Sequence, residues 1–248
     1  MIIDKSMPSA KDKAQNISEQ QNMNFTSMDF SNIWVKKPWG HEYMLFENED
    51  VAIWILHIQA LQQTSMHAHL HKNTSLICLK GKVVCKTLDE ASTLTKLNGI
   101  YLGKHVYHQT SNQSNQEAIV MEIESPVNKF DLCRIDDQYG RTAMAYEDYK
   151  HYEKKEGLTI KNRPKQCTYK KLGECGVEIG YAKDKEELLT LYDNKGEAVI
   201  ITLLNRNIWN ENGQKAFEVG QLLVLSETML NSYKINNNFI YLKITKQE

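Results

Sequence analysis

From Val51 to Ser125 the sequence keeps returning to short β-branched and aromatic runs that stop after a few residues. "VAIWILHIQA" covers Val51 to Ala60. "SLICLKGKVVCKT" covers Ser75 to Thr87 and is cut by Lys80-Gly81, a turn signal. "GIYLG" and "EAIVMEIE" follow, each bounded by turn residues. No long helical period interrupts them, and this spacing points to an all-β sandwich or barrel.

The 248 residues are enough for one large domain or two small ones, and with 41% hydrophobic residues a globular core is expected. A formal net charge of -1 argues against a nucleic-acid binder working through a basic face. No apolar run approaches the ~20 residues of a membrane helix. The first residues, "MIIDKSMPSAKDKAQNISEQQ", lack the apolar core of a secretory signal, so a cytoplasmic location is expected. The five cysteines, Cys78, Cys85, Cys133, Cys167 and Cys175, are odd in number and form no CxxC. Reduced thiols fit better than a disulfide framework.

Residues 1–32 are polar, without an apolar period, and read as a flexible tail. The strand-like text then defines a barrel over 33–126. Residues 127–195 read as a charged, Tyr-rich connection holding one short helix near "KDKEELLTLYDN", Lys183 to Asn194. Strand character returns over 196–248. The stretch from Asn98 aligns without a gap on that from Val219, matching Gly99 to Gly220, Ile119 to Ile240 and Ile123 to Ile244. His108 falls on Met229, so the second copy keeps the strand pattern and loses the histidines. Two tandem barrels, the second degenerate, are the expected organisation.

"SMHAHLHKN" places His67, His69 and His71 two apart in strand-like text. Alternate residues of a strand share a face, with neighbours about 7 Å apart. Two adjacent members of such a row can reach one metal ion if a neighbouring strand supplies a third ligand, and His108 in "GIYLGKHVYHQTSN" is placed to do so. Which pair ligates, His67 with His69 or His69 with His71, stays open. An all-imidazole set suits Zn, Fe, Ni or Cu, zinc foremost, and disfavours Mg or Ca.

These motifs resemble those of the cupin superfamily. "HLHKNTSLICLKG" is similar to its first motif, and the run from His108 to Asn112 to the end of its second. The "KPWG" stretch at Lys37 to Gly40 followed by His41-Glu42 resembles the cupin domains of type II mannose-6-phosphate isomerases. The resemblance covers about Val35 to Ser125. Its first motif carries a glutamate where Thr74 stands, and the Pro and Gly of its second fall on Gly103 and His105. The fourth imidazole could replace the missing carboxylate.

The resemblance implies a metal-binding jelly-roll barrel acting on a phosphorylated or nucleotide-linked sugar by an isomerase- or epimerase-like step. A cation at the barrel mouth would polarise a carbonyl, and a nearby base would move a proton. Lys104, His105 and Tyr107, beside His108, are the expected acid-base or phosphate-contact residues. Lys129, Arg134 and Arg141, in "SPVNKFDLCRIDDQYGR", are the cations an anionic substrate needs. Two alternatives remain: a non-catalytic sugar-binding cupin, and a non-haem iron dioxygenase with three histidines. The expected partners are a small sugar and a second copy of the chain in a homodimer, with neither nucleic acid nor membrane.

Overall fold

The structure, a computed structural model, describes residues 1–15, 28–142, 146–161, 166–191, 199–204, 208–210, 218–222, 233–235 and 238–247. In chain order its elements are β1 (Ile2–Lys5), α1 (Ala10–Lys13), β2 (Ile33–Lys37), β3 (Gly40–Glu47), β4 (Ala52–Ile58), β5 (Met66–Ala68), β6 (Asn73–Lys80), β7 (Lys82–Thr87), β8 (Ala91–Thr95), β9 (Gly99–Leu102), β10 (His108–Ser111), β11 (Ala118–Ser125), β12 (Cys133–Asp136) and β13 (Tyr152–Lys154). The second half adds β14 (Thr168–Leu172), β15 (Cys175–Ala182), α2 (Lys185–Thr190), β16 (Val199–Leu203), β17 (Ile208–Asn210), β18 (Tyr233–Ile235) and β19 (Phe239–Lys246).

Two sheets form the barrel. The larger has eight strands in the order β1-β9-β6-β11-β4-β3-β2-β13, and the smaller has five, β12-β5-β10-β7-β8. The Lys80-Gly81 turn is the corner between them. Gly81 takes φ 78°, and the chain leaves β6 in one sheet to enter β7 in the other. The all-β jelly-roll arrangement expected of the sequence is what the chain adopts.

The near-continuous apolar runs have a physical reason. A strand covered on one face alternates apolar with polar, whereas a strand covered on both is apolar throughout. In β4, Trp54, Leu56 and Ile58 point into the barrel beside Leu76, Val83 and Leu94. Ile53 and Ile55 point the other way, where they meet Val177, Ile179, Leu242 and Ile244. The latter belong to a four-stranded sheet, β14-β15-β19-β16, which forms a third layer over the outer face of the barrel.

Several expected boundaries move. Residues 1–15 are not a free tail: β1 runs parallel to β9 from Ile2↔Gly99 to Lys5↔Leu102. Gly103 admits this strand, because a Cβ there would lie 1.9 Å from the Ser6 carbonyl oxygen. Asp12 is buried and accepts the Tyr107 N–H at 3.0 Å. The rest of the expected tail, up to residue 27, lies outside the described residues. The first barrel continues past 126, since β12 joins the small sheet and β13 the large one. The second sheet begins at β14 rather than at 196, and β15 pairs with β19 along all of its length. The expected helix is observed as α2, with the Asp184 side chain accepting the Glu187 N–H at 2.9 Å; residues 192–194 of its expected span lie outside the described residues. β11 and β19, the strands aligned by the internal repeat, are each flanked by two antiparallel neighbours. Met229 and much of that second copy lie outside the described residues.

Candidate metal centre

β5 is only three residues long and lies between β10 and β12, with His67 opposite both His108 and Arg134. His69 follows one step beyond its end. The strand stops there because the chain turns around Asp131. This buried carboxylate accepts the backbone N–H groups of Leu70, His71 and Lys72 at 2.9, 2.8 and 3.0 Å. The turn breaks the period of two. His67 and His69 keep the strand alternation, whereas His71 is swung out and exposed. The expectation that His71 is a ligand is therefore corrected.

The three remaining imidazoles converge. His67, His69 and His108 each present a ring nitrogen, and these lie within 4.8 Å of one another. Each ring is also held from behind. His67 Nδ1 is 2.9 Å from the Ser65 carbonyl oxygen, His69 Nδ1 2.5 Å from that of Asp131, and His108 Nδ1 3.0 Å from that of Val106. A carbonyl only accepts, so in each ring the proton sits on Nδ1 and the Nε2 lone pair is free. Burial pushes all three rings toward the neutral form. His67 and His69 fall well below the usual range, with His108 weighing further on the first and Lys72 on the second, and His108 falls to about 4. His69 Nε2 is buried with no hydrogen-bond partner. Three neutral imidazoles with backbone-fixed tautomers and an orphaned lone pair are a donor set suited to a divalent transition metal.

His67 and His69 open onto a pocket that is partly open to solvent. Its walls bring together Lys129, Arg134 and Arg141, the three cations expected to meet substrate. They do not stand alone. Lys129 Nζ is 3.0 Å from Glu42 Oε1 and lies over the Trp54 ring at 3.7 Å. Arg141 forms ion pairs with Asp137 and Glu147, and Arg134 Nε donates to Ser65 Oγ at 3.3 Å. Lys37 pairs with Glu147, and Lys72 with Glu124, both pairs almost wholly buried. The neighbouring ammoniums of Lys129 and Lys37 overcome burial and hold Glu42 down to about 2.

The expected acid-base residues lie elsewhere. Lys104 and His105 are exposed at the β9–β10 turn, where the His105 N–H donates to the His69 carbonyl at 2.7 Å. Tyr107 is fully buried with its hydroxyl 3.6 Å from Cys133 Sγ. None of the three lines the pocket. Sequence reasoning missed Lys37, Glu42, Lys72, Glu122 and Tyr146, which do. One signal was present: "AIVMEIES" carries Glu122 and Glu124 two apart in an otherwise apolar strand, so both carboxylates share one face.

A jelly-roll barrel with imidazoles from two neighbouring strands gathered at an interior pocket resembles a cupin barrel with a candidate metal site. Residues 26–137 match the family described as mannose-6-phosphate isomerase C-terminal. The resemblance is to that cupin domain, over less than half of the chain. No curated protein matches the sequence. Among solved structures, a putative sugar phosphate isomerase from Acidithiobacillus ferrooxidans is 16% identical over 32% of this chain and 51% of its own, with a TM-score of 0.30. The chain thus spans about half the length of that protein. KdgF from a Halomonas species is 14% identical, over 38% of this chain and 86% of its own, with a TM-score of 0.37. The capsular polysaccharide assembling protein CapF from Staphylococcus aureus is 13% identical, over 42% and 34%, with a TM-score of 0.38. Among the described residues no helix is long and apolar enough to cross a membrane.

Proposed function

We propose that this chain is a metal-dependent cupin enzyme that isomerises or epimerises a phosphorylated or nucleotide-linked sugar. The observation that carries this reading is the convergence of His67, His69 and His108 at a pocket walled by both carboxylates and cations. The family match over residues 26–137 supports it. A zinc, iron, nickel or copper ion held by these imidazoles would supply Lewis acidity toward a carbonyl or a pair of hydroxyls.

The chain's own groups supply the rest. Trp39, Leu56 and Leu132 give the pocket an apolar wall against which the C–H face of a sugar ring packs. Thr64 and Ser65 bring hydroxyls to the same wall. Each pocket cation already has a carboxylate partner, so an anionic substrate enters by exchange. A phosphoryl group takes the place of a carboxylate on the Arg134 or Arg141 fork, where planar donors match it best.

The test is turnover in deuterated water. Protein loaded with zinc, iron or nickel is incubated with mannose 6-phosphate, fructose 6-phosphate and nucleotide-linked sugars, and followed by proton NMR. Interconversion, with loss of the proton next to the carbonyl carbon, is the expected result. A sugar that binds tightly without exchange or turnover overturns the enzyme reading in favour of a binding module.

A further inference from the structure

Two carboxylates line the pocket, and they differ. Glu42 is committed, accepting from Tyr146 and ion-paired with Lys129 at 3.0 Å and Lys37 at 3.3 Å. Glu122 accepts no hydrogen bond among the described residues. Its Oε1 lies 3.9 Å from His69 Nε2 and its Oε2 lies 3.9 Å from Lys129 Nζ. The lone pair it approaches is the orphaned one of the cluster.

Position 74 sharpens the point. The resembling motif carries a carboxylate there, and this chain has Thr74, whose hydroxyl is buried without a partner. β6 and β11 are neighbours, with Thr74 opposite Glu124 and Leu76 opposite Glu122. Both glutamates project to the barrel side of the sheet, as Leu76 does. Glu124 is unavailable, because it holds Lys72 and accepts the Trp54 indole N–H at 3.2 Å. Glu122 alone of this pair is uncommitted.

We propose that Glu122 is the anionic ligand of the metal centre, reaching it from β11 in place of the carboxylate lost at Thr74. This rests on the metal-site reading above. Three neutral nitrogens leave a divalent ion with its full charge in a buried pocket where Glu124 and Glu42 are already paired with Lys72 and Lys129, and one further carboxylate offsets half of it. The set within 4.8 Å comprises the imidazoles only, so ligation swings the Glu122 side chain from Lys129 toward the cluster.

The test uses the full chain, freed of metal and titrated with Co(II) and Zn(II) against a chromophoric chelator. Native protein is compared with Glu122→Gln and with Glu122→Asp, which keeps the charge but shortens the reach. Glu122→Gln is expected to weaken both ions at least tenfold and to shift the visible bands of bound Co(II), with Glu122→Asp intermediate. The metal-free variants are expected to melt close to the native protein, which separates ligation from folding. Unchanged affinity with unchanged Co(II) bands overturns the proposal, and so does weaker affinity with unchanged bands, which marks a purely electrostatic role. Failure of the native chain to retain either ion overturns the metal-site reading itself, and this proposal with it.

Discussion

His67 and His108 face each other across neighbouring antiparallel strands, paired in register with ring centroids 4.4 Å apart. Cross-strand partners are the closest side-chain neighbours a sheet provides. Here they are two neutral imidazoles, each with Nδ1 tied to a backbone carbonyl within two residues of its own position. The orientation of both rings is therefore set by the local chain.

Removing either ring should empty the site. His67→Ala and His108→Ala are each expected to weaken zinc or cobalt binding by at least about 10–100-fold, the loss that outer partners of metal ligands already produce. His71→Ala should leave binding unchanged, since His71 is exposed beyond the Asp131 turn. Metal content per chain after dialysis distinguishes the three variants.

The Lys72–Glu124 pair is 2% and 0% exposed at its side chains. Breaking such a pair strands a charge in low dielectric, whereas replacing both partners does not. Lys72→Met alone should cost about 3–5 kcal/mol in a denaturant titration. The double variant Lys72→Met/Glu124→Leu should cost clearly less than the sum of the two single changes.

Leu242→Ala tests the third layer. The side chain is fully buried between β19 and the outer face of the large sheet. Truncation should destabilise by about 2–5 kcal/mol. In native buffer the variant should still bind metal normally, because the pocket lies on the other side of that sheet. Equilibrium unfolding and metal titration on one sample check both halves.

A second imidazole array sets an acid limit. On the outer face of the large sheet His41 stacks on His57 with ring centroids 4.2 Å apart and on Trp34 at 4.6 Å. Burial, then the His57 ring, pushes His41 down to about 4, with Glu117 and Glu42 opposing and Lys155 assisting. An unfolded histidine takes its proton at about 6.5. As pH falls from there to about 4, unfolding takes up protons that the folded ring refuses, so stability is lost on the way down. The ring is only partly buried, and solvent screening limits this loss to about 1 kcal/mol. His41→Gln should flatten that part of the curve, and NMR titration of the His41 ring should give a midpoint near 4.

The strands of the barrel were legible because apolar runs announce them, and so was a histidine cluster drawn from His67, His69, His71 and His108, although alternation alone did not choose between the two adjacent pairs. Lys129, Arg134 and Arg141 were legible as a cluster of cations. Their carboxylate partners were legible only in part: Asp137 and Glu147 lie close to Arg141 in sequence, whereas Glu42 is far from Lys129 and only the fold brings those two together. β12 and β13 escaped notice because Arg134 and Glu153 give them a charged pattern. β1 escaped because "IIDK" is too short to show a period. His71 misled because the turn at Asp131 is made by a side chain sixty residues downstream of the backbone it binds.

β1 covers the outer backbone edge of β9 as the end strand of the large sheet. A shortened version beginning near Phe30 would bare the backbone donors and acceptors of β9 along that rim. Such a rim recruits strands from other molecules, and in the folded chain the four residues of β1 occupy it.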